Sequence, residues 1–313
     1  MKPPPPGSPV PEAPGRTATI GGTELRSRAV AAGLRAAGGV PWPVWRPVAE
    51  LTGTALALHP NRGLRQWQAN VTALTGRPVG RSLCRRALVS WAHNNALSMR
   101  LGHFTREQVI SRIVMDPEQE ERLRTVSATR GAVVALPHMG SWDLAGAWAC
   151  AVGMPVSTVA EQLGRSEFEL FLRERRRLGF TVHGHRDPLV GQKLIADARA
   201  KKLVCLLVDR NLSRGGVPVE WPAPRPVRSL MPIGPAHVAL ESGSMLLALS
   251  STFEGGRLRL QLSDPIEAEP GARSRVSRYQ SMMQQVCVFF HERITERPED
   301  WHMLQPMFAE GES

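Results

Sequence analysis

The chain has 313 residues, 42% of them hydrophobic, with 39 Lys and Arg against 28 Asp and Glu, enough apolar material for a large core. No run approaches the roughly 18 apolar residues of a membrane-spanning helix. The start Met1-Lys-Pro-Pro-Pro-Pro-Gly-Ser-Pro9 has prolines where a secretory signal needs an apolar helix, so a protein that stays in the cytoplasm is expected.

Four cysteines, Cys84, Cys150, Cys205 and Cys287, lie far apart with no C-x-x-C, which fits a reduced compartment and gives no sign of a zinc ribbon or redox dithiol. Charge is unevenly placed. Residues 16–112 carry fourteen arginines against Glu24, Glu50 and Glu107, whereas residues 113–313 hold 24 basic and 24 acidic residues. The excess of +11 therefore belongs to the N-terminal third, which should attract a polyanion, either nucleic acid or an anionic membrane surface.

In chain order, residues 1–23 are rich in Pro, Gly, Thr and Ala and are expected to be a disordered tail. Residues 24–37 predict a basic amphipathic helix ended by Gly38-Gly39. In Val40-Pro-Trp-Pro-Val-Trp-Arg-Pro47 the three prolines are expected to forbid a regular helix, while Trp42 and Trp45 suit either a membrane interface or the core. Helices are predicted at 48–58, 61–74, 79–101 and 117–128.

Strands and helices alternate from there on. Strands are expected at 131–137, 156–160, 180–183, 203–208, 245–253 and 258–262, and helices at 143–152, 166–178, 189–200, 234–242 and 272–296, with a Pro-rich loop over 221–232. The predicted fold class is α/β, with a central mostly parallel sheet flanked by helices and a helical basic N-terminal part. The expected organisation is a tail at 1–23 and one domain at 24–313. Within it, 24–112 would be a basic helical membrane-docking part and 113–313 the α/β catalytic part.

Open α/β sheets place ligands at the carboxyl ends of their strands, and four polar features fall there. They are His138 with Asp143, Glu161, His183-Gly-His185, and Asp209-Arg210. A histidine with nearby carboxylates suggests acyl transfer with imidazole as general base. No G-x-S-x-G elbow supplies a serine, so the attacking hydroxyl would come from the substrate. Arg210 is a candidate for steadying the oxyanion. No H-E-x-x-H is present, and no metal site is expected. Arg173, Arg175, Arg176 and Arg177 are either a solvated helix face or phosphate ligands.

Leu136-Pro-His-Met-Gly-Ser-Trp-Asp-Leu-Ala-Gly146, Thr158-Val-Ala-Glu-Gln-Leu163, Arg175-Arg-Arg-Leu-Gly-Phe180 and Val204-Cys-Leu-Leu-Val-Asp-Arg-Asn-Leu-Ser-Arg-Gly-Gly-Val217 resemble the bacterial lauroyl/myristoyl-type lipid acyltransferases. The likeness is strongest to the actinobacterial phosphatidylinositol mannoside branch, which Asp300-Trp-His-Met-Leu-Gln-Pro306 also resembles, and it spans about residues 80–308. The resemblance implies transfer of a long acyl chain from acyl-CoA, as co-substrate and without a cofactor, to a mannose hydroxyl of a phosphatidylinositol mannoside. The expected place is the cytoplasmic face of the plasma membrane, with peripheral attachment. It also implies His138 as the catalytic histidine, Asp143 as the acid of the H-x4-D motif, and Glu161 and Arg175 as positions that hold the acceptor or support the site. Asp209 falls where the mannoside branch carries a glutamate paired with the histidine, so the shorter side chain needs closer backbone placement. A basic nucleic-acid-binding protein is the competing class, but no zinc knuckle, RNP-type motif or clear helix-turn-helix supports it.

Overall fold

The computed structural model describes residues 40–161, 172–173, 175–211 and 215–308. The expected tail at 1–23, the helix at 24–37 and most of the helix at 166–178 lie outside these residues; Arg175–Arg177 are helical. The helices are α1 Trp42–Leu58, α2 Arg62–Thr75, α3 Arg81–Arg100, α4 Arg106–Ile110, α5 Pro117–Thr129, α6 Trp142–Ala151, α7 Val190–Arg199, α8 Gly234–Ser242 and α9 Arg275–Glu296. The strands are β1 Ile113–Met115, β2 Ala132–Leu136, β3 Val156–Ala160, β4 Thr181–Gly184, β5 Leu203–Leu207, β6 Val217–Trp221, β7 Val227–Met231, β8 Met245–Glu254 and β9 Arg257–Leu262.

Seven strands form one sheet in the order β1-β9-β8-β2-β5-β3-β4. All neighbours are parallel except the β8–β9 hairpin, so the mostly parallel α/β sheet flanked by helices is as predicted. Every residue of β2 (Ala-Val-Val-Ala-Leu) is buried, as a central strand covered on both faces requires. The chain leaves β2 for β3 beyond β5, while β8 takes the other side of β2. The carboxyl end of β2 is thus a topological switch point, where such sheets open a crevice.

Two expectations are corrected. The Pro-rich stretch after Val40 is helical: α1 begins at Trp42 with Pro43 in its first turn, where no amide hydrogen needs an acceptor. Pro47 lies inside the helix and costs one bond to the carbonyl of Pro43, but both prolines are exposed and water can serve that carbonyl. Half of the stretch 221–232 is strand, Trp221 ending β6 and Val227–Met231 forming β7, an antiparallel hairpin whose turn holds Pro222, Pro224 and Pro226. Val217, Val219 and Trp221 are buried and alternate with exposed Pro218 and Glu220, the period-two pattern of a half-buried strand. Gln284 of α9 clamps that strand by donating to the carbonyl of Glu220 (2.7 Å) and accepting its amide (2.9 Å).

The short β1 and α4 were absent from the expected elements; three residues pairing with β9 are too few to show a period. The C-terminal segment after α9 crosses back to the switch point. Met139 and Trp301 form an antiparallel bridge, His302 donates its amide to the carbonyl of His138 (2.7 Å), and Gly140 donates to that of Asp300 (2.8 Å). Helix α2 holds the segment from behind: Trp67 Nε1 donates to the carbonyl of Trp301 (2.7 Å) and Asn70 Nδ2 to that of Gln305 (2.8 Å).

Candidate active site

Pro137 ends β2, and the turn that follows is tightly built. Gly140 has φ 61°, and a side chain there would run into the backbone carbonyl of Ser251. Ser251 Oγ donates to the carbonyl of Met139 (2.7 Å) and accepts the amide of Ser141 (3.2 Å). These contacts fix where His138 leaves the strand.

β5 is the parallel neighbour of β2, and Asp209 stands just past its end beside His138. The Nδ1 proton of His138 is donated to Asp209 Oδ1 (2.6 Å), and the His138 amide donates to Oδ2 (2.9 Å). Trp301 Nε1 donates to the same Oδ2 (2.9 Å). Burial alone pushes the Asp209 carboxyl up. The charge of His138 and the three hydrogen bonds outweigh it and hold the group below the usual carboxylate range. With its Nδ1 proton given to Asp209, the ring keeps Nε2 as its basic nitrogen, and the ring centre of Trp142 lies 5.4 Å from its own, the two planes near perpendicular.

The other acid of the pair goes elsewhere. Asp143, in the first turn of α6, accepts Arg175 Nε (2.9 Å) and Nη2 (2.8 Å) on Oδ1 and Ser98 Oγ (3.0 Å) on Oδ2. Of the two candidate acids, Asp209 receives the ring's hydrogen bond. Glu161, after β3, pairs with Arg210 Nη2 (2.5 Å). His183 of β4 bonds Asp197 of α7 (2.7 Å), which also accepts Lys202 (2.8 Å) and Ser157 of β3 (2.7 Å), a network that ties α7 to the sheet. His185 lines the cavity described next. Among the described residues, no cluster of three or more His, Cys, Asp or Glu side chains could hold a metal.

His138, Asp143, Glu161, Arg175 and Arg210 rim a cavity of about 410 Å³ that runs inward between the sheet and α6. Its interior is apolar: Val134 and Leu136 of β2, Leu203 and Leu207 of β5, Leu249 of β8, and Ala145, Trp148 and Ala149 of α6. Gly146 of α6 lets Phe180 close one side, since an added Cβ would sit 2.6 Å from the phenyl ring. The site therefore joins a hydrogen-bonded imidazole and two ion pairs to a greasy pouch.

Sequence reasoning missed Trp301, Ser98 and the buried group beside them. Asp300 accepts Ser90 Oγ (2.6 Å) and the amide of Phe253 (3.0 Å), and Ser90 also meets His302 Nε2 (3.1 Å). Burial pushes the Asp300 carboxyl up to about 6 and the His302 imidazole down to about 3. The Asp300-Trp-His motif was visible in the sequence, but nothing in its spacing shows that its indole reaches Asp209, some ninety residues away.

A family model described as bacterial lipid A biosynthesis acyltransferase matches residues 27–310. A protein of Mycolicibacterium smegmatis named phosphatidylinositol mannoside acyltransferase is 32% identical over 258 residues, 79% of this chain and 80% of that one. A protein of the same name from Mycobacterium tuberculosis (strain ATCC 25618 / H37Rv) is 36% identical over 188 residues, 58% of this chain and 56% of that one. With a histidine set at the mouth of an apolar pouch and a match along nearly its whole length, the chain belongs to the bacterial lipid A biosynthesis acyltransferase family and is an acyltransferase.

Proposed function

We propose that this enzyme moves a long acyl chain from acyl-CoA to a mannose hydroxyl of a phosphatidylinositol mannoside, by direct attack within a ternary complex. The observation that carries the reading is the His138–Asp209 pair at 2.6 Å on the rim of an apolar pouch. The pouch suits a hydrocarbon chain, which gains about 0.8 kcal/mol per buried methylene. The acceptor class comes from the names of the relatives.

His138 Nε2 takes the proton of the sugar hydroxyl, and the oxygen attacks the thioester carbonyl. Asp209 steadies the imidazolium that forms. The tetrahedral oxyanion collapses, the carbon–sulfur bond breaks, and the CoA thiolate leaves with little need of an acid. The amides of residues 138–141 are already bonded to Asp209, Pro137, Asp300 and Ser251, so the oxyanion falls to Arg210, which Glu161 holds at the rim. Asp143 and Arg175 shape the acceptor's side of the mouth.

The lipid acceptor must be met at a membrane, and α1 offers a face for it. Val44, Val48, Leu51 and Leu58, spaced four, three and seven residues apart, are 61%, 49%, 73% and 49% exposed. Trp42 turns inward instead, stacked on His93 at 4.3 Å, and His93 in turn stacks on Phe253. Exposed Arg62, Arg65, Arg77, Arg81 and Arg86 on the neighbouring helices and their links suit an anionic bilayer at the cytoplasmic face. No helix among the described residues is long and apolar enough to cross a membrane.

The test is turnover of acyl-CoA with a phosphatidylinositol mannoside acceptor by wild type and His138→Ala. A loss of about 10²–10⁴-fold with an intact fold is expected; near-normal turnover would sink the mechanism. Co-sedimentation with anionic liposomes should exceed DNA binding at moderate salt and fall in Leu51→Glu.

A further inference from the structure

A second, more open cavity of about 550 Å³ adjoins the pouch, framed by α4, β1, α5 and the end of α6. Ile110, Ile113 and Met115 give it one apolar wall, and Arg106, Glu120, Arg124 and Arg257 a charged one toward the surface. The two cavities share one lining residue among those described, Trp148. Its indole is 3% exposed. Along α6 it stands five residues past Asp143, about 7.5 Å further from the mouth at 1.5 Å per residue. Leu123 of α5 and Leu260 of β9 also line the pouch, and the same two elements frame the second cavity through Glu120, Arg124 and Arg257. The indole thus stands between the pouch and the further room of the second cavity.

We propose that Trp148 sets the longest acyl chain the pouch accepts. This rests on the reading that the pouch holds the acyl chain. Each methylene that enters is removed from water and tightens binding, until the terminal methyl meets the indole. Beyond that point another methylene has to displace a large side chain from a close-packed interior, so the gain stops. A smaller side chain at this position joins the two cavities and moves the stop outward. Ala149, one residue on and also lining the pouch, offers the opposite change, because a larger side chain there takes space from the chain.

The experiment is binding of a saturated series of fatty acids, from dodecanoic to eicosanoic, to the whole protein, followed by turnover with the matching acyl-CoA series. Wild-type affinity should rise roughly fourfold per methylene and then level off. In Trp148→Phe and Trp148→Ala the levelling-off should move to longer chains, and in Ala149→Leu to shorter ones. Removing so large a buried side chain is itself destabilising. Trp148→Phe, which keeps an aromatic ring in place, and Ala149→Leu, which removes nothing, therefore carry the test. A length limit that stays put in both overturns the role of Trp148 and leaves the pouch reading intact. Wild-type affinity that does not depend on chain length overturns the pouch reading, and the role of Trp148 with it.

Discussion

Two buried carboxylates serve the same pouch and are used in different ways. Asp209 faces an imidazole and an indole, groups that leave its charge free to answer a proton arriving on His138. Asp143 faces a guanidinium that is charged at every working pH, with Ser98 on its other oxygen. In the proposed mechanism one carboxylate is matched to a charge that appears during the reaction, and the other to a charge that is always there. Their chemical type is the same; the partner decides which one the proposed mechanism can use and which one it leaves as support.

The sharpest way to break this contrast is Asp209→Asn. It should keep the fold but release the histidine's tautomer and lower kcat by about a thousandfold. Asp143→Asn, assayed beside it, should lose far less rate. Equal losses would erase the distinction. Next, Arg175→Ala strands the Asp143 carboxylate with Ser98 alone and should cost about 3 kcal/mol in a urea titration. A rate loss at unchanged stability would move Arg175 to the chemical side.

The buried pair behind Trp301 offers a test through pH. Asp300, raised to about 6, binds a proton in the folded chain that the unfolded chain has lost above its ordinary value near 4, so its contribution falls as pH rises from about 4 to 6. His302, lowered to about 3, stays neutral in the folded chain where the unfolded chain is protonated, so its contribution grows as pH rises from about 3 to 6.5. The two slopes oppose. Asp300→Asn should therefore unmask a stability that climbs by about 1–3 kcal/mol between pH 4 and 6.5; a flat profile would refute the assignment. Smallest of all, Trp301→Phe removes one donor from Asp209 and should lower kcat about fivefold, for about 1 kcal/mol. An unchanged kcat and pH profile would make the indole structural filling.

Much of this was written in local patterns. Alternation of apolar runs with helical periods placed β2, β3, β5 and the helices expected at 143–152 and 189–200 within a residue or two, because strand and helix signals are carried by neighbours in sequence. The switch-point logic put His138, Glu161 and Asp209-Arg210 at one edge for the same reason. The two failures have local causes as well. Proline was read as a helix breaker at Pro41–Pro47, although its cost nearly vanishes in a first turn and on a solvated face. Proline density over 221–232 hid a hairpin whose strand alternation was visible at Val217, Val219 and Trp221.

What pairs with what could not be read from the chain. His138 lies five residues from Asp143 and seventy-one from Asp209, yet the nearer acid bonds Arg175 and the distant one bonds the ring. The reason is the sheet: β2 and β5 are adjacent, so their ends meet, whereas α6 carries Asp143 away from the imidazole toward Arg175. Sequence spacing selected the chemical groups and the strand ends that present them. Strand order, and the return of the C-terminal segment across the switch point, chose which carboxylate the histidine receives.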